Sequence, residues 1–136
     1  MGMLHFSHIA LSCQDPFASE RFYVRHFGFR RARVIPDGSS QVVFLKHDNV
    51  YLELFQATEQ ASVAPSSGAG PAYPGYRHIA FQVENVDAWL SEIGNEATIT
   101  LGPLNFDAAI PGWRTVWLAD PDGNVVRRLG LPADGS

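Results

Sequence analysis

Three side chains of the kinds that bind transition metals lie in segments typical of β-strands: His8, Glu53 and His78. Successive residues of a strand point to opposite faces of its sheet, and here the aliphatic residues have the other parity. We therefore expect all three side chains on the sheet face away from the helices. Two imidazoles and a carboxylate suit Zn, Ni, Co, Mn or Fe(II) and leave positions open for substrate. The spacing of these residues does not by itself establish a metal site, because no H-E-x-x-H or C-x-x-C motif is present. The alternative is that the histidines are structural residues held by hydrogen bonds.

A short internal repeat places both histidines in equivalent positions. The segment Ser7–Leu11 (Ser-His-Ile-Ala-Leu) recurs as Arg77–Phe81 (Arg-His-Ile-Ala-Phe). Each copy leads into a predicted helix. The first helix has Asp15 as a candidate N-cap, Pro16 at its first position and Gly28 where it should end.

The second helix begins near Asn85 and has apolar residues at helical spacing on one face. These residues are Val86, Trp89, Leu90 and Ile93. Three strand-like segments follow each helix: residues 29–35, 41–46 and 50–56 in the first half, and 97–101, 114–119 and 124–130 in the second. Turn signals lie at 36–38, 47–49 and 120–124. The predicted fold class is α+β, with two βαβββ modules forming a curved mixed sheet around a cleft.

Length and composition favour a single domain over residues 1–136. With 136 residues, 46% apolar and 18% charged, the chain can bury a core but is too short for two ordinary domains. Module 1 spans about 1–57 and module 2 about 77–132, joined by a linker over about 58–76. Because the linker is rich in Ala, Ser, Gly and Pro, it is typical of a mobile, unpacked connector; a lid over the cleft is the alternative.

Charge and cysteine content favour a small-molecule partner in the cytoplasm. The net charge is −4, the pI is about 5.6, and the ten Lys and Arg residues are scattered, which is unlike a nucleic-acid binder. The single cysteine, Cys13, excludes an internal disulfide. No apolar run approaches the roughly 18 residues of a membrane span, and the N-terminus lacks the pattern of a secretory signal.

Five segments, in order along the chain, resemble the vicinal oxygen chelate superfamily. They are Leu4–Leu11, Arg21–Phe29, Tyr51–Leu54, Arg77–Phe81 and Asp120–Asn124. That superfamily includes glyoxalase I, methylmalonyl-CoA epimerase, extradiol dioxygenases, fosfomycin-resistance enzymes and bleomycin-binding proteins. The resemblance implies a homodimer in which metal and small-molecule substrate meet in a cleft. It also implies that His8, Glu53 and His78 are the metal ligands.

The chain departs from this pattern at the fourth ligand, where the resemblance implies a glutamate three residues after Asn124. That residue is Arg127, which has no lone pair to donate and repels a cation. One hypothesis is a metal-dependent isomerase or lyase in which Arg127 binds an anionic group of the substrate and Glu53 is a ligand or a catalytic base. Another is a metal-free small-molecule or antibiotic-binding protein of the bleomycin-resistance type, with Arg127 paired to Glu53. Metal-free catalysis or lost function is a third.

The face occupied by Arg127 depends on the strand register. Arg128 adjoins it, and only one of two neighbours can face the cleft. Further candidate substrate-binding residues are Tyr51, which shares the parity of Glu53, Trp113, which follows Pro111-Gly112 in a predicted loop, and Arg114 beside it. We expect Trp113 to be partly exposed and Arg114 to be within reach of an acidic ligand. A solvated arginine is the alternative for Arg114. Other aromatic residues could also form a ligand-binding surface around the predicted cleft, with core packing as the alternative. They are Phe6, Phe44, Phe55 and Trp117.

Overall fold

The structure, a computed structural model, describes residues 2–65 and 67–130. Its elements are β1 (His8–Cys13), α1 (Pro16–Phe27), β2 (Arg30–Asp37), β3 (Ser40–His47), β4 (Val50–Gln56), β5 (Ile79–Val83), α2 (Val86–Ile93), β6 (Thr98–Asn105), β7 (Arg114–Ala119) and β8 (Val125–Gly130). The predicted βαβββ order is confirmed in both halves. The chain divides into two compact units, Met1–Ser62 and Val63–Ser136, and each unit contains one four-stranded sheet.

Helix α1 begins and ends at the predicted residues. The Asp15 side chain accepts a hydrogen bond from the Phe17 backbone N–H at 3.0 Å, and Pro16 follows at the first helical position. At the other end, Gly28 has a φ of 72°, a left-handed conformation that glycine adopts without steric cost. Its N–H bonds to the carbonyl of Tyr23, so the helix is capped at both ends.

Helix α2 is shorter and has the same kind of N-terminal cap. The Asn85 side chain accepts a hydrogen bond from the Ala88 N–H at 2.9 Å. The predicted apolar face is confirmed, with Val86, Trp89 and Ile93 buried. Among the described residues, neither helix is long and apolar enough to cross a membrane.

The first sheet has the strand order β1-β4-β3-β2, with β1 parallel to β4 and the other pairs antiparallel. Helix α1 connects β1 to β2 and packs on β3 and β4. Leu52 and Leu54 are fully buried on the helix side of β4. Glu53 points to the opposite face, where it is paired with Ala10 of β1. We call this the helix-free face of the first unit.

The second sheet repeats that arrangement in the order β5-β8-β7-β6. Helix α2 packs on β7 and β8, and Leu118 and Val126 are fully buried on that side. Arg127 is paired with Ala80 of β5 and Trp117 of β7 on the other side, the helix-free face of the second unit. Because Ala80 repeats Ala10, Arg127 occupies in this sheet the position that Glu53 occupies in the first.

The predicted turn at 36–38 is wrong by about two residues. Strand β2 continues through Asp37, which is paired with Ser40, so the reversal is a two-residue turn at Gly38 and Ser39. Pro36 lies in β2 at the sheet edge. Proline has no backbone N–H, and an edge strand tolerates this because one of its sides has no neighbouring strand to bond.

The expected unpacked connector is also wrong for its second half. The Thr100 hydroxyl of β6 donates a hydrogen bond to the Gly68 carbonyl at 2.6 Å, and His78 bonds to the Ala69 carbonyl at 2.7 Å. Gly70 has a φ of 120°, and a Cβ there would overlap neighbouring backbone. Glycine is therefore required at position 70, where the segment packs closely on the backbone of Arg77.

Candidate functional site

In the first unit, His8 and Glu53 form an ion pair on the helix-free face, joining His8 Nε2 to Glu53 Oε2. The Ser7 hydroxyl lies 2.8 Å from His8 Nδ1. Because an ionised carboxylate can only accept, Nε2 is the donor to Glu53. The Glu53 side chain is only 14% exposed, against 42% for His8. Two potential metal-binding atoms, Nε2 and Oε2, are thus in direct contact.

Tyr51 shares this face, as its parity predicts. It is paired with His8 across the parallel strands and with Lys46 on the other side. The Lys46 Nζ lies 5.3 Å from the centroid of the half-buried Tyr51 ring, a cation–π distance. The ring is therefore held beside the ion pair, and its contact with substrate is a proposal.

In the second unit, His78 directly precedes β5 and is half-buried. Its Nδ1 lies 2.7 Å from the Ala69 carbonyl oxygen. A carbonyl oxygen only accepts, so Nδ1 carries the proton and Nε2 keeps its lone pair. Metal-binding histidines commonly have this second hydrogen bond to a carbonyl, which fixes their tautomer.

Arg127 lies among aromatic rings on the helix-free face of the second unit. Its Cζ is 4.8 Å from the Trp117 ring centroid, 5.1 Å from that of Trp113 and 5.9 Å from that of Phe106. Its Nε donates a hydrogen bond to the Thr115 hydroxyl at 2.8 Å. Burial lowers the pKa of the Arg127 guanidinium. The group stays charged at neutral pH, because arginine deprotonates only in strongly alkaline solution.

Arg128 lies on the opposite face and so resolves the register. Its Cζ is 4.1 Å from the centroid of the Trp89 ring on α2. Burial lowers the pKa of Arg128 to about 10, and the nearby charge of Glu92 opposes that shift. Arg127 is therefore the residue that occupies the ligand-like position of β8.

The loop between β6 and β7 fixes two of the rings around Arg127. The Phe106 N–H donates to the Trp113 carbonyl at 2.8 Å, and the Trp113 N–H donates to Ile110 at 3.1 Å. The Gly112 N–H donates to the Asp107 carboxylate at 2.8 Å. As predicted, Trp113 lies outside the strands and is partly exposed.

Two indole N–H groups in this cluster have no hydrogen-bond partner among the described residues. They are the buried Nε1 atoms of Trp113 and Trp117. Trp117 is only 4% exposed, so its N–H is withheld from bulk water. Buried donors are normally satisfied, and an unmet donor costs about 1–3 kcal/mol.

Arg114 does not share the face of Arg127. Its guanidinium forms an ion pair with Asp87 of α2 at 2.9 Å and a hydrogen bond with Asn105 at 3.2 Å. The strand alternation that puts Thr115 toward Arg127 points Arg114 to the helix side. Sequence reasoning missed Asp87 as its partner, because the two residues are distant along the chain.

The predicted metal ligands are divided between the units, with His8 and Glu53 in the first and His78 in the second. Across residues 2–65 and 67–130, no three His, Cys, Asp or Glu side chains are grouped so as to hold a metal ion. The individual donor atoms are nevertheless suitable: two imidazole Nε2 atoms and a shielded carboxylate. The three-ligand site stays a prediction.

The chain matches the profile of the Glyoxalase/Bleomycin resistance protein/Dioxygenase superfamily over residues 5–127. It belongs to this superfamily. The match includes both units, from the segment before β1 to Arg127 in β8. The paired βαβββ units described above are thus those of a glyoxalase-superfamily protein.

Three relatives illustrate the range of this superfamily. The uncharacterized protein YwkD of Bacillus subtilis (strain 168) is 31% identical over 121 residues, which are 85% of this chain and 88% of YwkD. A glyoxalase/dioxygenase from Nostoc punctiforme is 25% identical, with a TM-score of 0.65 over 93% of this chain and 90% of its own. TnmS3, an antibiotic binding protein from Streptomyces sp. CB03234, is 22% identical, with a TM-score of 0.64 over 97% and 99%, and it shares the fold.

Proposed function

We propose that this protein is a glyoxalase-like small-molecule enzyme, a metal-dependent isomerase or lyase. His8, Glu53 and His78 hold a divalent transition metal (Zn, Ni, Co, Mn or Fe), and Arg127 replaces the usual fourth ligand. The observation that supports this most strongly is the convergence of His8 Nε2 and Glu53 Oε2, two donor atoms of the kinds that such metals prefer. His78, with its Nδ1 proton engaged, keeps Nε2 as a third donor.

The bound metal supplies a Lewis acid for neighbouring oxygens of the substrate. Isomerases and lyases of this type must also move a proton at a carbon beside a carbonyl. Glu53 is the proposed base, because its carboxylate is largely shielded from water and lies on the helix-free face. The Ser7 hydroxyl, which lies 2.8 Å from His8 Nδ1, positions the imidazole beside that carboxylate.

Arg127 binds the substrate in this proposal. A guanidinium forms strong, charge-assisted hydrogen bonds with anionic oxygens, and exclusion of water by the surrounding rings strengthens them. The Thr115 hydroxyl holds Nε, which leaves the terminal nitrogens to face the ligand. Tyr51 and Trp113 provide aromatic surface for the rest of the molecule. We assign no substrate contact to Arg114, because Asp87 engages it on the helix side.

Metal content tests this proposal without a known substrate. Untagged protein, incubated in turn with Zn, Ni, Mn and Fe(II) and then desalted, is analysed by inductively coupled plasma mass spectrometry. We expect about one equivalent per chain, lost in Glu53→Ala and His78→Ala. The exposed residues Glu59 and His5 provide matched controls, so Glu59→Ala and His5→Ala should retain the metal. Absence of metal in the wild type, or its retention in both site variants, would contradict the proposal.

The alternative is a metal-free small-molecule or antibiotic-binding protein of the bleomycin-resistance type. Two observations favour it: Glu53 is already engaged by His8, and Arg127 is already enclosed by aromatic rings. TnmS3 demonstrates that an antibiotic-binding protein can have this fold. Ligand binding that persists in protein without bound metal, together with no metal uptake, would favour this alternative.

A cytoplasmic homodimer completes the proposal. A dimer has twice the 15.0 kDa mass of the chain, and sedimentation velocity distinguishes it from a monomer. A single species of monomer mass at micromolar concentration would contradict this part.

A further inference from the structure

The guanidinium of Arg127 is only partly engaged by the protein. Among the described residues, the hydrogen bond to Thr115 at 2.8 Å uses Nε alone. The cation–π contacts with Trp113 and Trp117 hold the group in place but do not satisfy its terminal N–H groups. Two parallel donors on these terminal nitrogens match the two oxygens of a carboxylate.

The indole N–H groups add two further donors to the same cluster. Trp117 is paired with Arg127 across the sheet, so both side chains lie on the helix-free face. Neither the Trp117 nor the Trp113 Nε1 has a hydrogen-bond partner within residues 2–65 and 67–130. Both rings are within cation–π distance of the guanidinium. The cluster is therefore rich in donors whose acceptor is not supplied by the described protein.

The charge on the helix-free face of the second unit favours a ligand with a single negative charge. Residues 63–130 contain four arginines and no lysine. Arg114 pairs with Asp87, Arg128 packs on Trp89 on the helix side, and Arg77 donates to the carbonyl of Pro71. The described helix-free face of this unit thus has one positive charge, from Arg127. A single guanidinium balances a carboxylate, whereas a phosphate dianion would keep an excess negative charge beside aromatic rings.

We infer that this cluster, formed by Arg127, Trp113, Trp117, Phe106 and Thr115, is a binding site for planar monocarboxylates, with aromatic acids the best fit. The carboxylate lies against the terminal nitrogens of Arg127 and accepts from the indole N–H groups, and the flat apolar part packs on the rings. This deepens the proposed function by naming the class of substrate, and it rests on that proposal only in taking the ligand to be the substrate.

Nuclear magnetic resonance tests the site directly, because the chain has three tryptophans and so three indole N–H signals. The ¹⁵N-labelled full-length protein is titrated with benzoate in the presence of EDTA, after each signal is assigned with a Trp→Phe variant. We expect saturable shifts of the Trp113 and Trp117 signals at about 1 mM benzoate, with little change at Trp89. Benzamide, which is neutral and nearly the same shape, should bind at least about tenfold more weakly.

Variants identify the group that recognises the charge. Arg127→Gln should weaken benzoate binding at least about tenfold, and Arg127→Lys should weaken it less, because the charge remains but the paired donors are lost. The control Arg33→Gln, at an exposed arginine of β2, should bind as the wild type does. Well-dispersed backbone signals in each variant establish that it is folded.

The inference is overturned if neither indole signal moves up to about 10 mM benzoate, or if Arg127→Gln binds benzoate normally. Equal binding of benzamide would also overturn it. Tighter binding of phenyl phosphate than of benzoate would overturn the assignment to monocarboxylates. Because EDTA removes metal throughout, this result is independent of the metal-content experiment, and either proposal can fail alone.

Discussion

The helix-free faces of the two units have the same strand register but carry opposite charges at one equivalent position. The aligned cross-strand sets are Ala10, Glu53 and Phe44 in the first unit, and Ala80, Arg127 and Trp117 in the second. In each set a charged residue of the fourth strand lies between an alanine of the first strand and an aromatic residue of the third. One position of a repeated scaffold therefore provides a carboxylate in one unit and a guanidinium in the other.

The two repeated histidines have different hydrogen-bond acceptors, in keeping with this difference in charge. His8 donates to Glu53, which is an anion and a good acceptor. His78 has a cationic residue, Arg127, in the corresponding strand position, and it donates to the Ala69 carbonyl of the connector. An arginine cannot accept a hydrogen bond from an imidazole, and the second histidine donates to a backbone carbonyl instead. The packed half of the connector provides it.

The helix sides differ as well, since Leu54 and Arg128 occupy equivalent positions. Leu54 is fully buried under α1, whereas Arg128 is half-buried against Trp89. We expect Leu54→Ala to lower the free energy of unfolding by about 3 kcal/mol, because it leaves a cavity. Arg128→Leu should change it by less than about 1 kcal/mol, since the lost cation–π contact is offset by the removal of a desolvated charge. Urea denaturation measures both, and an equal loss in the two variants would contradict the comparison.

The next largest effect should come from making the second unit resemble the first. Arg127→Glu would supply the fourth ligand and remove the repulsion of a metal cation. We expect metal affinity to rise by at least about a hundredfold, since even changes outside the ligand set alter it by 10–100-fold. Competition with a fluorescent chelator measures this change. The control Arg33→Glu makes the same charge change at an exposed site, and an equal gain in that variant would contradict a local cause.

A smaller effect is expected at the helix caps, where the two units are alike. Asp15→Ala and Asn85→Ala should each lower the free energy of unfolding by about 1 kcal/mol, because each removes the acceptor of a backbone N–H. Thermal denaturation followed by circular dichroism checks the pair. The controls Asp15→Asn and Asn85→Asp preserve an acceptor and should lose little. A loss in only one helix would indicate that the two caps are not equivalent.

Much of the fold could be predicted because it depends on local patterns. The caps at Asp15 and Asn85 and the stop at Gly28 are set by neighbouring residues. Strand parity placed Glu53 on the helix-free face, because alternation depends only on the strand itself. The choice between Arg127 and Arg128 needed the pairing of β8 with its neighbours, which the sequence left open.

The remaining features depend on partners that are distant in sequence. Arg114 is engaged by Asp87, and the connector is held through Thr100, neither of which composition reveals. Phe106 and Thr115 were missed as neighbours of Arg127. Parity offered a signal for Thr115, which lies two residues before Trp117 on the same strand and therefore points to the same face.

Anomalous diffraction from crystals grown with Zn²⁺ tests the three-ligand metal site most directly. We expect one strong zinc peak bound by His8 Nε2, a Glu53 carboxylate oxygen and His78 Nε2, at about 2.0–2.2 Å. Arg127 should lie outside the coordination sphere with its terminal nitrogens directed at solvent or a bound anion. A crystal in which His8 and Glu53 stay paired with each other and zinc is absent, or binds elsewhere, would contradict the metalloenzyme and favour the metal-free binding protein.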